Sequence, residues 1–386
     1  MIETRARAIQ SNPDDRTQSM RVLYVINGFD PGGAEHGLLT LIETGFFDGH
    51  ELAVLGFCRG RGDLAETIAG TVGPDRLILA TPALALTIRG LFKGAAALFA
   101  KLRAYRPDLV VLSLKQANLV GRLVLTLFPG IRCASFEHIS RYRARRAEWL
   151  YRYVLWLLSF RVNEVWADCR QTLADTRRYF APRARAERVV PLFAAAKSQP
   201  AKTNYALHNP LRLVAAGRLV ERKNLARLIE SLAQPHGLGA VTLDVFGDGE
   251  ERAALDQLIA ARGLVDRVRL HGFAARWYAR PEVLEADIFV NLSDTEGFCI
   301  VVAEAMAAGL PVVATDVGGI RDYGRDGENM LALAQPDGAA LIEALATLAG
   351  DEALRRRLGQ AARAAMLAAY GPGGSARGEG LAGGDD

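Results

Sequence analysis

The chain predicts an α/β protein made of two doubly wound, Rossmann-like domains facing a cleft. Three observations lead there. Short apolar runs alternate with segments of 3.6-residue apolar period. The alternation stops at one polar stretch, residues 193–210, and then starts again. Glycine turns and charged residues follow the runs in both halves, where parallel sheets place their ligand-binding loops.

Each element can be taken in order. "RVLYVI" (21–26) runs into the glycine turn "NGFDPGG", and a helical pattern begins at Ala34. The further strands of the first half are "ELAVLGF" (51–57), "DLVVLSL" (108–114), "IRCASF" (131–136) and "EVWA" (164–167), with helical periods between them. "FAAAKSQPAKTNYALHNP" (193–210) holds two prolines and no clear period, so it reads as a linker. The second half runs "LRLVAAG" (211–217), helix from Arg222, "VTLDVFG" (241–247), helix from Glu250, "VRLHGF" (268–273), "ADIFVNL" (286–292), helix from Gly297 and "PVVAT" (311–315). The domains expected are therefore 21–192 and 211–350, preceded by a polar tail over 1–20 and followed by a helix over 351–370. Seven of the last 16 residues, 371–386, are glycine, which predicts a disordered tail.

Composition narrows the function classes. At 386 residues, 50% hydrophobic and 23% charged, the chain is globular with room for two domains. Cys58, Cys133, Cys169 and Cys299 form no CxxC pair and no Cys/His cluster, which favours a reduced, cytoplasmic setting over a disulfide framework or zinc site. The first 20 residues carry no apolar core and read as no secretory signal. No apolar run approaches the ~18–20 residues of a spanning helix. Charge is uneven: residues 1–196 hold 27 Lys and Arg against 18 Asp and Glu, while 197–386 hold 20 against 25. A basic first half suits an anionic surface, or is simply a solvated face. "RYRARRAEWLYRYVLWLLSFR" (141–161) sharpens that choice, with six arginines among Trp149, Trp156 and four other aromatics. It reads either as a peripheral contact with an anionic membrane or as a core helix with a basic lead-in. No nucleic-acid partner is expected.

The chemistry gathers around "EGFCIVVAE" (296–304). Burying a carboxylate is costly unless it is paired. Glu296 sits where a helix would begin at Gly297 and Phe298, whose amides form an anion site. Glu304 lies about 12 Å further along an ideal helix axis at ~1.5 Å per residue, too far to act with Glu296 on one bond. The pair could hold two parts of an elongated ligand, since carboxylates accept well from paired hydroxyls. The plainer readings are a helix N-cap for Glu296 and an arginine-paired buried acid for Glu304. Arg218 and Lys223, with Arg222 beside them, flank the turn "GRLVERKN" and suit a diphosphate. Gly32 and Gly33 in "PGGAE" allow backbone to approach a phosphate. His138 ends a strand in the half opposite Glu296. No full GxGxxG stands at "PGGAE" or at "GDGEER", and there is no P-loop and no D-x-D. That counts against a dehydrogenase and against the usual metal clamp on a nucleoside diphosphate. The charge of a departing phosphate then falls to Arg218, Lys223 and helix dipoles.

"EGFCIVVAEAMAAGLPVVATDVGG", "AAGRLVERKN", "VFGDGEE", "HGF" and "GGAE" together resemble a retaining glycosyltransferase of family 4 type and GT-B architecture. The likeness is strong over 211–333 and looser over 21–190. It implies a metal-independent hexosyltransferase without a cofactor, in glycan, polysaccharide or glycolipid biosynthesis. A nucleoside-diphosphate sugar would be the donor, and a sugar or lipid-linked hydroxyl the acceptor. The first domain would be the acceptor side and the second the donor side. By the resemblance, Glu304 holds the donor ribose and Glu296 the transferred sugar. The amides near Phe298 and Cys299, with Arg218 and Lys223, hold the diphosphate. Gly33 closes over it from the other domain, beside Gly32, and His138 sits by the reacting carbon. Gly247, Asp248, Gly272 and Phe273 line the base pocket. Two positions depart from the family pattern: Cys299 stands where glycine is usual, and Asp168 where serine is usual. A sugar-nucleotide 2-epimerase shares the architecture, but the E-x7-E spacing and the Arg218/Lys223 pair disfavour it. A non-catalytic nucleotide-sugar-binding protein is the third alternative. Such enzymes often end in a helix that crosses back to the first domain; here that helix is expected to be shortened or missing.

Overall fold

The computed structural model describes residues 19–30, 32–138, 146–235, 237–375 and Leu381. The first half alternates β1 (Arg21–Ile26), α1 (Gly33–Glu43), β2 (Glu51–Gly56), α2 (Leu64–Val72), β3 (Leu77–Leu79), α3 (Ile88–Tyr105), β4 (Leu109–Ser113), α4 (Lys115–Leu125), β5 (Arg132–Glu137), α5 (Arg146–Leu157), β6 (Glu164–Ala167), α6 (Arg170–Tyr179) and β7 (Ala186–Val189). These strands form one parallel sheet in the order β3-β2-β1-β4-β5-β6-β7. The second half runs β8 (Leu211–Ala216), α7 (Leu225–Ala233), β9 (Val241–Phe246), α8 (Arg252–Ala261), β10 (Val268–Gly272), α9 (Pro281–Leu284), β11 (Ile288–Asn291), α10 (Ile300–Ala307), β12 (Val312–Thr315), α11 (Ile320–Tyr323), β13 (Leu331–Leu333), α12 (Gly338–Gly350) and α13 (Glu352–Tyr370). Its parallel sheet is ordered β10-β9-β8-β11-β12-β13. In each sheet the chain winds outward one way and then the other from its first strand, which is the doubly wound arrangement expected.

The strands are buried on both faces because helices cover both. In the first domain α1 and α2 pack Leu38, Leu41, Leu64 and Ile68 on one face. On the other face α3 and α4 pack Leu98, Leu102, Ala117 and Leu125. Capping follows the sequence: Thr87, Asp337 and Asp351 each accept a backbone N–H from the first turn of α3, α12 and α13.

The stretch 193–210 is more packed than its polar composition suggests, with Phe193, Ala195 and Tyr205 buried. α13 holds it. Buried Arg355 donates from Nε and Nη2 to the Tyr205 carbonyl at 3.0 and 2.9 Å. Arg363 donates to the carbonyls of Lys197 and Gln199 at 3.1 and 3.0 Å, and the Ala195 N–H to that of Tyr370 at 2.9 Å. The expectation of a disordered tail over 371–386 needs correction where the tail is described. Gly371–Ser375 continues as a turn on α13. Leu381 is buried in the first domain's core, donates its N–H to the Phe46 carbonyl at 2.9 Å and meets His50 Nε2 through its own carbonyl. The chain beyond α13 therefore reaches the first domain. Residues 1–18, 376–380 and 382–386 of the expected tails lie outside the described residues.

Candidate active site

The site builds up from the turn between β8 and α7. Glu221–Lys223 is a single 3₁₀ turn closed by Asn224 in the left-handed region. Asn224 Nδ2 donates to the Leu292 carbonyl at 2.9 Å, and the Asp294 N–H donates to the Arg222 carbonyl at 2.8 Å. This ties the cationic turn to the loop after β11, and that loop carries Glu296. Lys223 Nζ stands 2.5 Å from Glu296 Oε1, and Arg222 Nη1 stands 3.2 Å from Oε2 and 2.9 Å from the Thr295 carbonyl. Burial alone would raise Glu296. The two cations outweigh it and hold the carboxyl at about 2. Glu296 is thus an ion-paired acid and not a helix N-cap.

The helix starts later than expected. α10 begins at Ile300 with Cys299 as its N-cap, so Gly297 and Phe298 belong to the entering loop. Cys299 has φ 62°, the left-handed backbone that breaks the helix there. Gly297 and Phe298 nevertheless meet the first domain. A Cβ on Gly297 would lie 2.3 Å from both Asp168 Oδ2 and the His138 carbonyl oxygen, so only glycine fits. The Phe298 N–H donates to Asp168 Oδ2 at 3.1 Å. The amide expected to receive a phosphate is therefore already held by a carboxylate from the opposite domain. Asp168 is buried, and burial lifts its carboxyl to about 6. Its Oδ1 is enclosed without a hydrogen-bond partner among the described residues.

Glu304 lies within α10, half-buried as a residue but with an enclosed carboxyl. Its partner is not an arginine: Trp277 Nε1 donates to Oε2 at 2.8 Å. With only an indole to offset it, burial pushes the carboxyl up to about 7. Trp277 comes from the 3₁₀ turn after β10.

The first domain brings the remaining residues. Gly32 caps α1, and a Cβ there would lie 2.4 Å from Glu35 Oε2 and 2.7 Å from Arg218 Nη2. The glycine turn therefore packs directly on Arg218 of the second domain. Gly33 faces Ile300, whose Cδ1 a Cβ would meet at 3.7 Å. His138 follows β5 with Nε2 2.8 Å from Ser113 Oγ. Burial drives its imidazole down to about 3, so it is neutral at physiological pH, and Nδ1 has no partner among the described residues. Phe273 is exposed and reaches the His36 ring at 6.1 Å across the domains. Asp248 is exposed, and its Oδ1 accepts its own turn's Gly249 N–H at 2.9 Å.

The structure thus gathers Gly32, Gly33, Arg218, Lys223, Glu296, Gly297, Phe298, Cys299 and His138 where the domains meet. Glu304 lies one helix further in, and Asp248 and Phe273 on the β9 and β10 loops. Trp277 and the Asp168–Phe298 contact escaped the sequence reading as site features. Their partners lie 27 and 130 residues away for Trp277 and Asp168. Among the described residues no three His, Cys, Asp or Glu side chains gather so as to hold a metal ion.

Comparison with known proteins places this geometry. Residues 200–365 match the family described as glycosyl transferases group 1, which is the segment carrying the cationic turn, Glu296 and Glu304. The fold is of GT-B architecture, and the likeness to the group 1 family falls on its second half. Over 167 residues the chain is 36% identical to the lipopolysaccharide core biosynthesis glycosyltransferase LpsE of Rhizobium meliloti (strain 1021), covering 41% of this chain and 48% of that protein. It is also 36% identical over 161 residues to the amylovoran biosynthesis glycosyltransferase AmsK of Erwinia amylovora, covering 39% of each. The chain thus matches about half, or less, of the length of these relatives. The crystal structure of Anabaena Alr3699/HepE in complex with UDP and glucose superposes with TM-score 0.72 at 21% identity, over 91% of this chain and 96% of that one.

Proposed function

We propose that the chain is a retaining, metal-independent glycosyltransferase of family 4 type. It would move a hexose-type sugar from a nucleoside-diphosphate sugar to a hydroxyl acceptor in polysaccharide or glycolipid biosynthesis. The observation that carries this is the buried Glu296–Lys223 pair at the domain junction, with half-exposed Arg222 completing it, set within the group 1 segment. It provides a fixed carboxylate for sugar hydroxyls next to cations for phosphate. An ammonium has three N–H donors, so pairing with Glu296 does not exhaust Lys223.

In this mechanism the bond from the anomeric carbon to the diphosphate oxygen breaks, and a bond to the acceptor oxygen forms on the same face. The acceptor proton passes to the departing phosphate oxygen, and nucleoside diphosphate leaves. Arg218 and Lys223 meet the developing negative charge. Neutral His138 offers a hydrogen bond to the sugar without adding charge. The HepE structure is a complex with UDP and glucose, which makes UDP-sugars the first donors to try.

The test is acceptor-dependent release of nucleoside diphosphate in the presence of EDTA, after a thermal-shift screen with UDP, GDP, ADP and their sugars. Transfer in chelator supports the reading. Loss restored by magnesium or manganese overturns its metal-free part. Sugar-nucleotide turnover without an acceptor would instead mean an epimerase, and binding without turnover a binding protein.

A further inference from the structure

We propose that the outer face of α3, α4 and α5 docks on an anionic lipid surface. The inference is independent of the reaction assigned above, because it rests on a different face of the first domain. α3 and α4 lie on the side of the sheet opposite α1 and α2, and α5 is held to α4 by Tyr151 Oη donating to the Lys115 carbonyl at 2.9 Å. A core helix would bury its apolar residues against that layer. α5 and the turn after it bury Leu155 and Leu158, but they expose Trp149, Leu150, Tyr153, Trp156, Leu157 and Phe160. Trp149 is 68% exposed. The expectation of a core helix is therefore wrong for this segment's outer face.

The exposed residues are arranged as a surface. Trp149, Tyr153, Trp156 and Phe160 recur at helical spacing. Trp149 stacks on Tyr153 at 5.8 Å, and Tyr153 on Trp156 at 6.2 Å. On α3, Ile88 and Phe92 are 76% and 74% exposed, and Phe99 reaches Phe128 beyond α4 at 5.4 Å. An apolar patch of this extent marks an interaction site.

Charge selects the occupant. The segments of α3 and α4 contain no Asp or Glu, and α5 contains only Glu148. Arg89, Lys93 and Arg103 are exposed on α3, and Arg183 lies 5.2 Å over the Trp156 ring. A second copy packed about a two-fold axis would set these cations against each other. An acidic lipid headgroup layer pairs with the cations while its acyl boundary accepts the aromatic rings. Among the described residues no helix is long and apolar enough to cross a membrane, so the contact is with the surface.

The experiment is flotation of the full chain with phosphatidylcholine vesicles, with and without phosphatidylglycerol, over a salt series. Retention on the anionic vesicles is expected, weakening as salt rises. Trp149→Ser with Trp156→Ser should cut it about tenfold. These side chains are solvent-exposed, so melting temperature and UDP-induced thermal shift should not move. Lys93→Glu with Arg103→Glu, which leaves the aromatic rings in place, should lower retention on anionic vesicles only and flatten its salt dependence. No retention on anionic vesicles, or equal retention on neutral ones, overturns the proposal. So does self-association in sedimentation that the tryptophan variant abolishes while no vesicle binding is found.

Discussion

Glu296 and Glu304 lie eight residues apart, enclosed in the same domain, and their surroundings drive them in opposite directions. Glu296 faces Lys223 and Arg222 and stays ionised down to about pH 2. Glu304 faces an indole N–H and holds its proton up to about pH 7. The difference shows what decides the state of these two buried acids: desolvation acts on both, and the paired cations overrule it at Glu296 where a single indole does not at Glu304. The stability consequences have opposite signs. The stabilisation from Glu296 is complete above its ordinary 4.5 and is lost as pH falls toward 2. For Glu304 the unfolded chain loses its proton near 4.5 while the folded chain keeps it to about 7, so rising pH through that window costs stability.

The largest effect that can sharpen this comparison is removal of the cation. Lys223→Met should cost about 3 kcal/mol in urea unfolding, because it leaves a buried carboxylate whose remaining cation is the half-exposed Arg222. Lys223→Met with Glu296→Gln should recover part of it. Trp277→Phe at the other end should cost only about 1 kcal/mol, since Glu304 can remain protonated when its partner goes. Equal losses at the two ends would mean that packing, and not charge, sets both sites.

The next effect is on ligands, and it separates the two roles. Glu304→Gln should weaken nucleotide binding about tenfold or more, as loss of a charged acceptor does. Glu296→Gln should leave nucleotide affinity within about threefold while lowering turnover about a hundredfold, since it is assigned to the sugar. Calorimetry with UDP beside turnover assays decides; a common loss of binding would end the division of labour.

A smaller effect follows from pH. If Glu304 must ionise to accept a ribose diol, nucleotide affinity should climb as pH rises through about 7 and then level off. The Glu304→Gln protein should show no such climb. A wild-type affinity flat between pH 6 and pH 8 would place the ribose elsewhere.

The fold was legible because strand and helix periods are local, and the breaks at glycine turns are local too. Glu296 and its cations could be found because "EGF" and "GRLVERK" each carry their own pattern. What stayed hidden depends on distant pairing. Nothing near Glu304 announces Trp277, and nothing near Asp168 announces that it takes a backbone N–H from Phe298. The later helix start was hidden for a different reason: Cys299 adopts a left-handed backbone that its type disfavours. At 154–160 every position read as apolar or nearly so, and periodicity alone cannot tell a core helix from an exposed one. Leu381 shows the converse limit, since one apolar residue in a glycine-rich tail found a place in the core that composition did not forecast.

The smallest effect should come from Cys299→Gly, at the junction between the two glutamates. Glycine relieves a left-handed φ of 62°, worth ~1–2 kcal/mol. It also frees the unfolded chain, at a cost of about 0.5–1 kcal/mol. The buried thiol is lost as well, and with it Tyr323 and Asn291 lose a neighbour; Tyr323 Oη keeps the Cys299 carbonyl at 3.0 Å because that group is backbone. These terms oppose one another, so thermal and urea midpoints should shift by less than about 1 kcal/mol equivalent. The titrations of Glu296 and Glu304 should stay apart, because the thiol is raised by burial to about 12 and carries no charge at neutral pH. A loss above about 2 kcal/mol would show that the side chain packs a cavity the backbone term does not reveal. A change in the Glu296 titration would show that the left-handed turn itself, through the amides it aims, helps to hold that carboxylate ionised.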